Sequence, residues 1–285
     1  MGETANKLQI LDGKKVSNWL QSQVAEAISK RVSEGHQAPG LAVVLVGNDE
    51  ASHVYVNNKI KACERTGIRS VSHQLPRQTS SKALLALIDD LNADPSIHGI
   101  LVQLPLPEHI NETEVTNRID PSKDVDGFHA SNVGHLALRQ PGLRPCTPRG
   151  IMTLLHHHDI DPKGMHCVVV GASNIVGRPL MLEMLFAGAT VTVCHRFTQD
   201  LAAHVAQADV LCVAVGNPNI VDAEWIKPGA IVIDIGINRK AAGGICGDVD
   251  FIKASEKASW ITPVPGGVGP MTVATLMQNT YEASL

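Results

Sequence analysis

Two α/β domains, each a mostly parallel sheet covered by helices, are what this chain of 285 residues predicts. Three observations carry that reading. Short all-apolar runs alternate with amphipathic helical patterns through both halves, an aperiodic stretch from Asp120 to Pro148 separates the halves, and no internal repeat or low-complexity linker interrupts them. Alternation of strand and helix implies parallel pairing, because a parallel partner needs a crossover long enough to hold a helix. With 44% hydrophobic and 18% charged residues, the chain has a globular composition and is large enough for two cores.

Composition also excludes several classes of partner. A net charge of −4 gives no electrostatic reason to expect nucleic acid or an anionic membrane. No apolar run approaches the roughly 20 residues that span a bilayer, and the N-terminus lacks a basic segment followed by an apolar one, so a cytoplasmic protein is expected. Gly2 follows the initiator methionine, but Asn6 stands where a myristoylation signal needs Ser or Thr. The six cysteines form no C-x-x-C pair and read as reduced, buried small hydrophobes. His156, His157 and His158 are consecutive, so on a helix they point about 100° apart and cannot converge on one ion; no metal site is expected.

In the first half, Val16, Leu20, Val24, Ile28 and Val32 repeat at four-residue spacing before Gly35, which predicts an amphipathic helix with a left-handed cap. The apolar run Leu41–Val46 predicts a strand, and Ser52 is the expected N-cap of a helix running to Gly67. That helix carries Tyr55 and Lys59, four apart and therefore on one face. A strand near 69–75, a Leu-rich helix near 80–92 and a strand from Gly99 to Leu104, stopped by Pro105, continue the alternation. Ligands of parallel sheets collect beyond the carboxyl ends of the strands. Gln103 stands at one such end, and Lys59 lies in the helix that follows another. A Tyr-x-x-x-Lys pair is best known from short-chain dehydrogenases, where it follows the nucleotide fold; here it precedes the only nucleotide fingerprint, so it belongs to a separate N-terminal catalytic unit.

Thr147 as N-cap and Pro148 as first helical residue open a new helix. Strands are expected at Cys167–Val170, Thr190–Cys194, Val210–Val215 and Ala230–Ile235, with Pro179 in the first turn of the helix after Gly171 and a helical tail over Met271–Tyr281. Between the first of these strands and its helix lie Gly171, Ala172, Ser173, Asn174, Ile175, Val176 and Gly177, in the place of a Rossmann phosphate turn. Ser173 replaces the usual second glycine and is an expected hydroxyl donor to the pyrophosphate, and the helix N-terminus offers amides and a favourable dipole. At the end of the next strand, where an NAD enzyme carries an acid for the ribose 2′-hydroxyl, this chain has His195 and Arg196. A cation there suits a 2′-phosphate, so NADP is the expected cofactor.

Six motifs occur in one order: Tyr55-x-x-x-Lys59, Val102–Pro105, Lys123–Gly127, Pro145–Pro148, the Gly171 turn and Thr262–Thr272. Together they resemble the bifunctional methylenetetrahydrofolate dehydrogenase/methenyltetrahydrofolate cyclohydrolase family, in its bacterial NADP-dependent form, over almost the whole chain. The resemblance implies an N-terminal folate-binding catalytic domain and a Rossmann-type NADP-binding domain with a cleft between them. Their expected extents are residues 1–145 with a C-terminal helix at 270–285, and residues 146–269. It also implies oxidation of 5,10-methylenetetrahydrofolate followed by hydrolysis of the methenyl cation, and a homodimer.

Residue by residue, the resemblance implies Lys59 as the proton-transfer group of the hydrolysis and Gln103 as the side chain that orients the water or the lysine. An amine acts as a base only in its neutral form, which burial and a nearby positive charge favour. Tyr55 becomes a wall stacking on the folate rings, and Asp126 an acceptor for donors on the pterin edge. Ser52 and Leu104 join the implied substrate site. So do Pro265, Gly266 and Gly269, in a loop that approaches the folate closely. Ile237 joins the cofactor residues. Cys146 has no His or acid beside it in sequence and reads as structural. On the residues alone, two other readings stay open: another two-domain NADP oxidoreductase of the shikimate or amino-acid dehydrogenase sort, and a non-catalytic Rossmann nucleotide sensor. Neither has a use for the Lys59 and Gln103 pair.

Overall fold

The computed structural model describes residues 8–240 and 243–285, so Gly2 and Asn6 lie outside the described residues. In chain order the strands are β1 (Gln9–Ile10), β2 (Gly40–Val46), β3 (Arg69–Leu75), β4 (Gly99–Val102), β5 (His166–Val170), β6 (Thr190–Cys194), β7 (Val210–Val213), β8 (Ile231–Asp234), β9 (Asn238–Arg239), β10 (Ile245–Cys246) and β11 (Trp260–Ile261). The helices are α1 (Gly13–Ser33), α2 (Glu50–Thr66), α3 (Ser81–Ala93), α4 (Glu112–Arg118), α5 (Ala130–Ala137), α6 (Cys146–His157), α7 (Gly177–Phe186), α8 (Leu201–Val205), α9 (Phe251–Ser255) and α10 (Val268–Glu282).

The chain divides into two compact units. One holds Ser17–Cys146 with Val273–Leu285; the other holds the N-terminal segment ending at Val16 with Thr147–Thr272. The first is built on a three-stranded parallel sheet, ordered β3-β2-β4. All seven residues of β2 are buried, as a central parallel strand covered on both faces requires. One core layer gathers Val24 and Ile28 of α1, Val56 and Cys63 of α2, and Leu276 and Met277 of α10 against Leu41, Val43 and Leu45. On the opposite face Leu84, Ile88 and Leu91 of α3 pack with Ala42, Val44 and Ile100. The C-terminal helix therefore belongs with this sheet.

Local differences from the sequence expectation have local causes. Along α1, Val16, Leu20, Val24 and Ile28 are buried but Val32 is 46% exposed. Four-residue spacing overshoots a 3.6-residue turn by about 40° at each step, so the fifth position has rotated off the core. The cap of α2 is Asp49, whose carboxylate accepts the Ser52 amide at 2.8 Å, so Ser52 lies inside the helix rather than at its N-cap. Gly67 closes the helix in the left-handed region, at φ 79°. Helix α6 begins at Cys146, so Thr147 and Pro148 are already inside it.

Of the stretch 120–148, expected as a passage between domains, the residues up to Cys146 are instead a packed part of the three-stranded unit. Asp124 bridges Ile100 in parallel, and Val125, Leu136 and Leu143 are buried. Asn279 of α10, itself buried, donates its amide to the carbonyls of Val125 (2.8 Å) and Arg144 (2.9 Å). Helix α5 within this stretch spans 8 residues, too few to display a helical period in sequence.

The other unit holds a six-stranded parallel sheet ordered β1-β11-β8-β7-β5-β6, with an antiparallel β9–β10 ribbon beside it. From β5 the chain moves first to β6 on one side and then to β7 on the other, which creates a switch point beyond the carboxyl end of β5. The core of this unit centres on Val168, Val170, Leu211, Val213, Val232 and Ile261. Strand β1 pairs with β11, and the Leu11 amide donates to the Ile261 carbonyl at 2.9 Å. That pairing moves the N-terminal segment out of the 1–145 domain expected from the sequence. The cause is length: strands of two residues carry no readable alternation. The later junctions fall at 146/147 and 272/273, against the expected 145/146 and 269/270.

Candidate active site

Parallel pairing of β2 with β4 brings Gln103 to the carboxyl edge of the three-stranded sheet, where its amide donates to the Val44 carbonyl at 2.8 Å. Its side chain is held at both ends. Gln103 Nε2 donates to the Leu104 carbonyl at 2.6 Å, and Gln103 Oε1 accepts from Lys59 Nζ at 3.0 Å. Lys59 reaches this acceptor from α2, the helix that follows β2, and is only 8% exposed. A buried amine needs a polar partner, and the glutamine supplies one without neutralising its charge. Tyr55, one turn earlier on the same helix, is half-buried, as is Leu104; Ser52 is buried.

Asp126 lies within electrostatic reach of Lys59. Burial pushes its carboxyl up to about 6, against the pull of the Lys59 charge, and the Asp124 carboxyl adds to the rise. No described residue donates a hydrogen bond to this carboxyl, which leaves its lone pairs to a ligand. The neighbouring Asp124 is handled differently. It is buried, and its Oδ2 accepts the His129 amide at 2.8 Å and the Asn132 side-chain amide at 2.9 Å. Burial still raises it, while those bonds oppose the rise. The sequence reading passed over Asp124; its signal was the second carboxylate in Asp124-Val125-Asp126. Cys146 is buried, with its thiol donating to the Val125 carbonyl at 3.1 Å.

In the six-stranded unit the turn Gly171–Gly177 sits at the switch point. Gly171 has φ 123°, and a Cβ there would collide with the Ala214 carbonyl oxygen; a Cβ on Gly177 would collide with the Gly171 carbonyl oxygen. Both glycines are therefore demanded by backbone approach, and the resulting cradle fits a dinucleotide phosphate. Ala172 and Val176 are half-buried in this turn, and Ile175 is 38% exposed. Ser173 Oγ accepts from the amides of Val176 (3.2 Å) and Gly177 (3.4 Å), which ties the turn together just before α7. At the end of β6 the His195 amide donates to Thr198 Oγ1 at 2.9 Å, and the Arg196 guanidinium lies over the Phe197 ring at 4.6 Å from its centroid. His195 and Arg196 are exposed. A free cation in the place of an acid fits a 2′-phosphate. Ile237, 44% exposed, follows the carboxyl end of β8.

Pro265 and Gly266 lie in this same unit, in the loop before α10, and the Gly266 carbonyl accepts the Lys14 amide at 2.9 Å. Gly269 does not share that loop. It is the second residue of α10, with open space where a Cβ would stand.

Two family models match the chain. The tetrahydrofolate dehydrogenase/cyclohydrolase catalytic domain matches residues 11–126, and the NAD(P)-binding domain of the same family matches residues 145–285. Among solved structures, the chain is similar to the bifunctional enzyme FolD, a methylenetetrahydrofolate dehydrogenase/cyclohydrolase from Campylobacter jejuni. The two are 50% identical over 97% of this chain and 98% of that one, with a TM-score of 0.95. A 5,10-methylenetetrahydrofolate dehydrogenase from the silkworm, Bombyx mori, is 40% identical over 97% and 98% of the two chains, with a TM-score of 0.92. The dehydrogenase-cyclohydrolase of Trypanosoma brucei, solved with NADP cofactor and inhibitor, is 37% identical over 98% and 97%, with a TM-score of 0.93. With both halves matched in order, the chain belongs to the tetrahydrofolate dehydrogenase/cyclohydrolase family.

Proposed function

We infer that this chain oxidises 5,10-methylenetetrahydrofolate to the 5,10-methenyl form with NADP and hydrolyses that cation to 10-formyltetrahydrofolate, in one-carbon metabolism that feeds purine biosynthesis. The observation that carries the reading is the hydrogen bond between Lys59 and Gln103 beside Asp126, in a chain matched by both domains of the family.

The methylene carbon lies between two nitrogens whose lone pairs stabilise the cation left by hydride loss, so the oxidation needs orientation more than an acid or base. NADP supplies the hydride acceptor. The Gly171–Gly177 turn and the exposed Arg196 would hold its phosphates, while Tyr55 stacks on the folate rings and Asp126 accepts donors of the pterin edge. Ser52, Leu104, Pro265, Gly266 and Gly269 complete the substrate contacts of this proposal.

Hydrolysis requires proton movement. Water held by Gln103 attacks the methenyl carbon, and its proton passes to Lys59 Nζ in the neutral form. Collapse of the resulting carbinolamine breaks the carbon bond to N5 as the hydroxyl oxygen becomes the formyl carbonyl. Lys59 returns its proton to N5 and the hydroxyl proton leaves to solvent, so one proton is released for each cation hydrolysed and atoms and charge balance. The positive charge of the methenyl group favours the neutral amine by repulsion.

The reading extends to a homodimer acting in the cytoplasm, on the strength of family membership alone. Among the described residues no helix is long and apolar enough to cross a membrane. Light scattering should give one species at twice the 30.4 kDa chain mass; a monomer at assay concentration would remove the dimer.

In an assay following NADPH and the methenyl chromophore together, the wild-type chain should form both from methylenetetrahydrofolate. Lys59→Met should lower methenyl hydrolysis by about 10²-fold or more, the usual scale of general acid-base catalysis, with NADP affinity unchanged. Parallel loss of NADP binding would sink the proton-transfer role. Arg196→Ala should raise KM for NADP by roughly 10- to 100-fold, the scale of one lost charge-assisted contact, and leave KM for NAD nearly unaltered. An unchanged ratio would remove the 2′-phosphate assignment.

Asp126 also makes a prediction for stability. Its carboxyl sits at about 6 in the folded chain against an ordinary 3.8, so the folded state binds the proton better. The burial penalty is absent below the unfolded value and fully present once pH rises through 6. Asp126→Asn should therefore be more stable than wild type at pH 7.5, by on the order of 1 kcal/mol, with the gain shrinking towards pH 4.5. Denaturant midpoints at the two pH values measure it, and a gain independent of pH would contradict it.

A further inference from the structure

Two buried carboxylates in the six-stranded unit take no part in the chemistry above. Asp248 is wholly buried and Asp234 is 4% exposed. The bonds they accept come from Val215 and Gly216, just after β7, and from residues 236–249, which follow β8 and include Asn238 of β9. Asp248 Oδ2 accepts the amides of Val215 (2.7 Å) and Gly216 (2.9 Å), and its Oδ1 accepts Asn238 Nδ2 at 2.8 Å. Asp234 Oδ1 accepts the amides of Gly236 (3.0 Å) and of Asp248 itself (2.9 Å), while Oδ2 accepts the Val249 amide at 2.9 Å. The backbone is fitted to the pair: a Cβ on Gly236 would land on the Asp248 carboxyl, and one on Gly247 would land on the Asp234 carboxyl.

The loops so fastened surround a definite place. Ala214, next to the tethered Val215, is the residue whose carbonyl meets Gly171 of the phosphate turn. Val215 (46% exposed) and Ile237 (44% exposed) present apolar side chains, and Gly216, at φ 74°, has open space where a Cβ would stand. A dinucleotide straddles the point where strand order reverses. With Arg196 beyond β6 on one side of β5, the other half of the molecule falls over β7 and β8, which carry these tethered loops.

We propose that Asp248, locked by Asp234, is a positioning residue for the nicotinamide half of the bound dinucleotide. It acts through the amides of Val215 and Gly216 and through Asn238, which fix the apolar surface of Val215 and Ile237. The proposal rests on the NADP reading above. Carboxylate oxygens shared among several amides hold a loop more tightly than neutral acceptors, because charge-assisted bonds are about twice as strong.

The test is Asp248→Asn in the full-length enzyme. KM for NADP should rise by about tenfold, the value of roughly one lost charge-assisted bond, and dehydrogenase kcat should fall. Adenosine 2′,5′-bisphosphate, which carries the 2′-phosphate half without nicotinamide, should bind by calorimetry as it does to wild type. Methenyl hydrolysis assayed without NADP should stay within about twofold, a difference worth under half a kcal/mol. Equal loss of NADP and bisphosphate affinity would overturn the proposal, as would unchanged NADP kinetics. If Asp248→Asn does not fold, Asn238→Ala decides: the same selective loss supports the proposal, and unaltered NADP kinetics overturns it. Failure of the wild-type chain to bind NADP at all would instead strike the cofactor reading itself.

Discussion

A buried amine has to be satisfied without being neutralised, and the three-stranded unit is organised around meeting that requirement for Lys59. The seven buried residues of β2 set the register of the sheet, and that register delivers Gln103 to the edge where Lys59 can donate to it at 3.0 Å. An aspartate or glutamate in place of Gln103 would trap the amine as an ion pair and leave nothing free for proton transfer. An apolar residue would strand a buried donor at a cost of about 1–3 kcal/mol. An amide avoids both, because its oxygen accepts a hydrogen bond from the amine while one of its two N–H groups is held by the Leu104 carbonyl. The packing of an all-apolar strand thereby becomes the orientation of the nitrogen proposed to carry the proton.

Four carboxylates of this chain, Asp124, Asp126, Asp234 and Asp248, fall into two kinds. Asp124, Asp234 and Asp248 each accept two or more hydrogen bonds from fixed amides, so their negative charge is spread over the backbone and ties loops together. Burial pushes Asp234 up to about 6 even so, with amides of Gly236, Asp248 and Val249 pulling the other way. Asp126 reaches about 6 with only the Lys59 charge opposing its burial. A group left in that condition is destabilising on its own and becomes favourable only when donors arrive, which suits a residue reserved for a ligand.

Much of this arrangement was readable in the sequence because the strands that build it are apolar and long enough to show. Runs such as Leu41–Val46 and Cys167–Val170 identify central parallel strands by their lack of alternation, and Gly171 and Gly177 mark the backbone contact that only glycine permits. Lys59 and Gln103 could be paired because each follows a recognisable strand. Whatever depended on long-range pairing of short segments could not be read. Strands β1 and β11 have two residues each, and their pairing alone assigns the N-terminal segment. Asp49 displaced Ser52 as cap because both are good capping residues and sequence gives no way to rank neighbours. Asp234 and Asp248, 14 residues apart, are joined only by folded loops.

The same edge rule serves the two units through different parts of the residue. In the three-stranded unit the proposed functional groups are side chains, Lys59, Gln103 and Asp126, carried past the strand ends on their own stems. In the six-stranded unit the phosphate turn offers backbone, and the side chains nearby, Ser173, Asp234 and Asp248, bond mainly to amides. A side-chain site fails one step at a time, since removing Lys59 need not move Gln103. A backbone site fails geometrically, since a single Cβ on Gly177 would shift the Gly171 carbonyl and, through it, the Ala214 approach that defines the turn. On the proposed function, hydrolysis, which needs a proton carried at one atom, falls to the former kind of site, and binding of a long, many-contact dinucleotide to the latter.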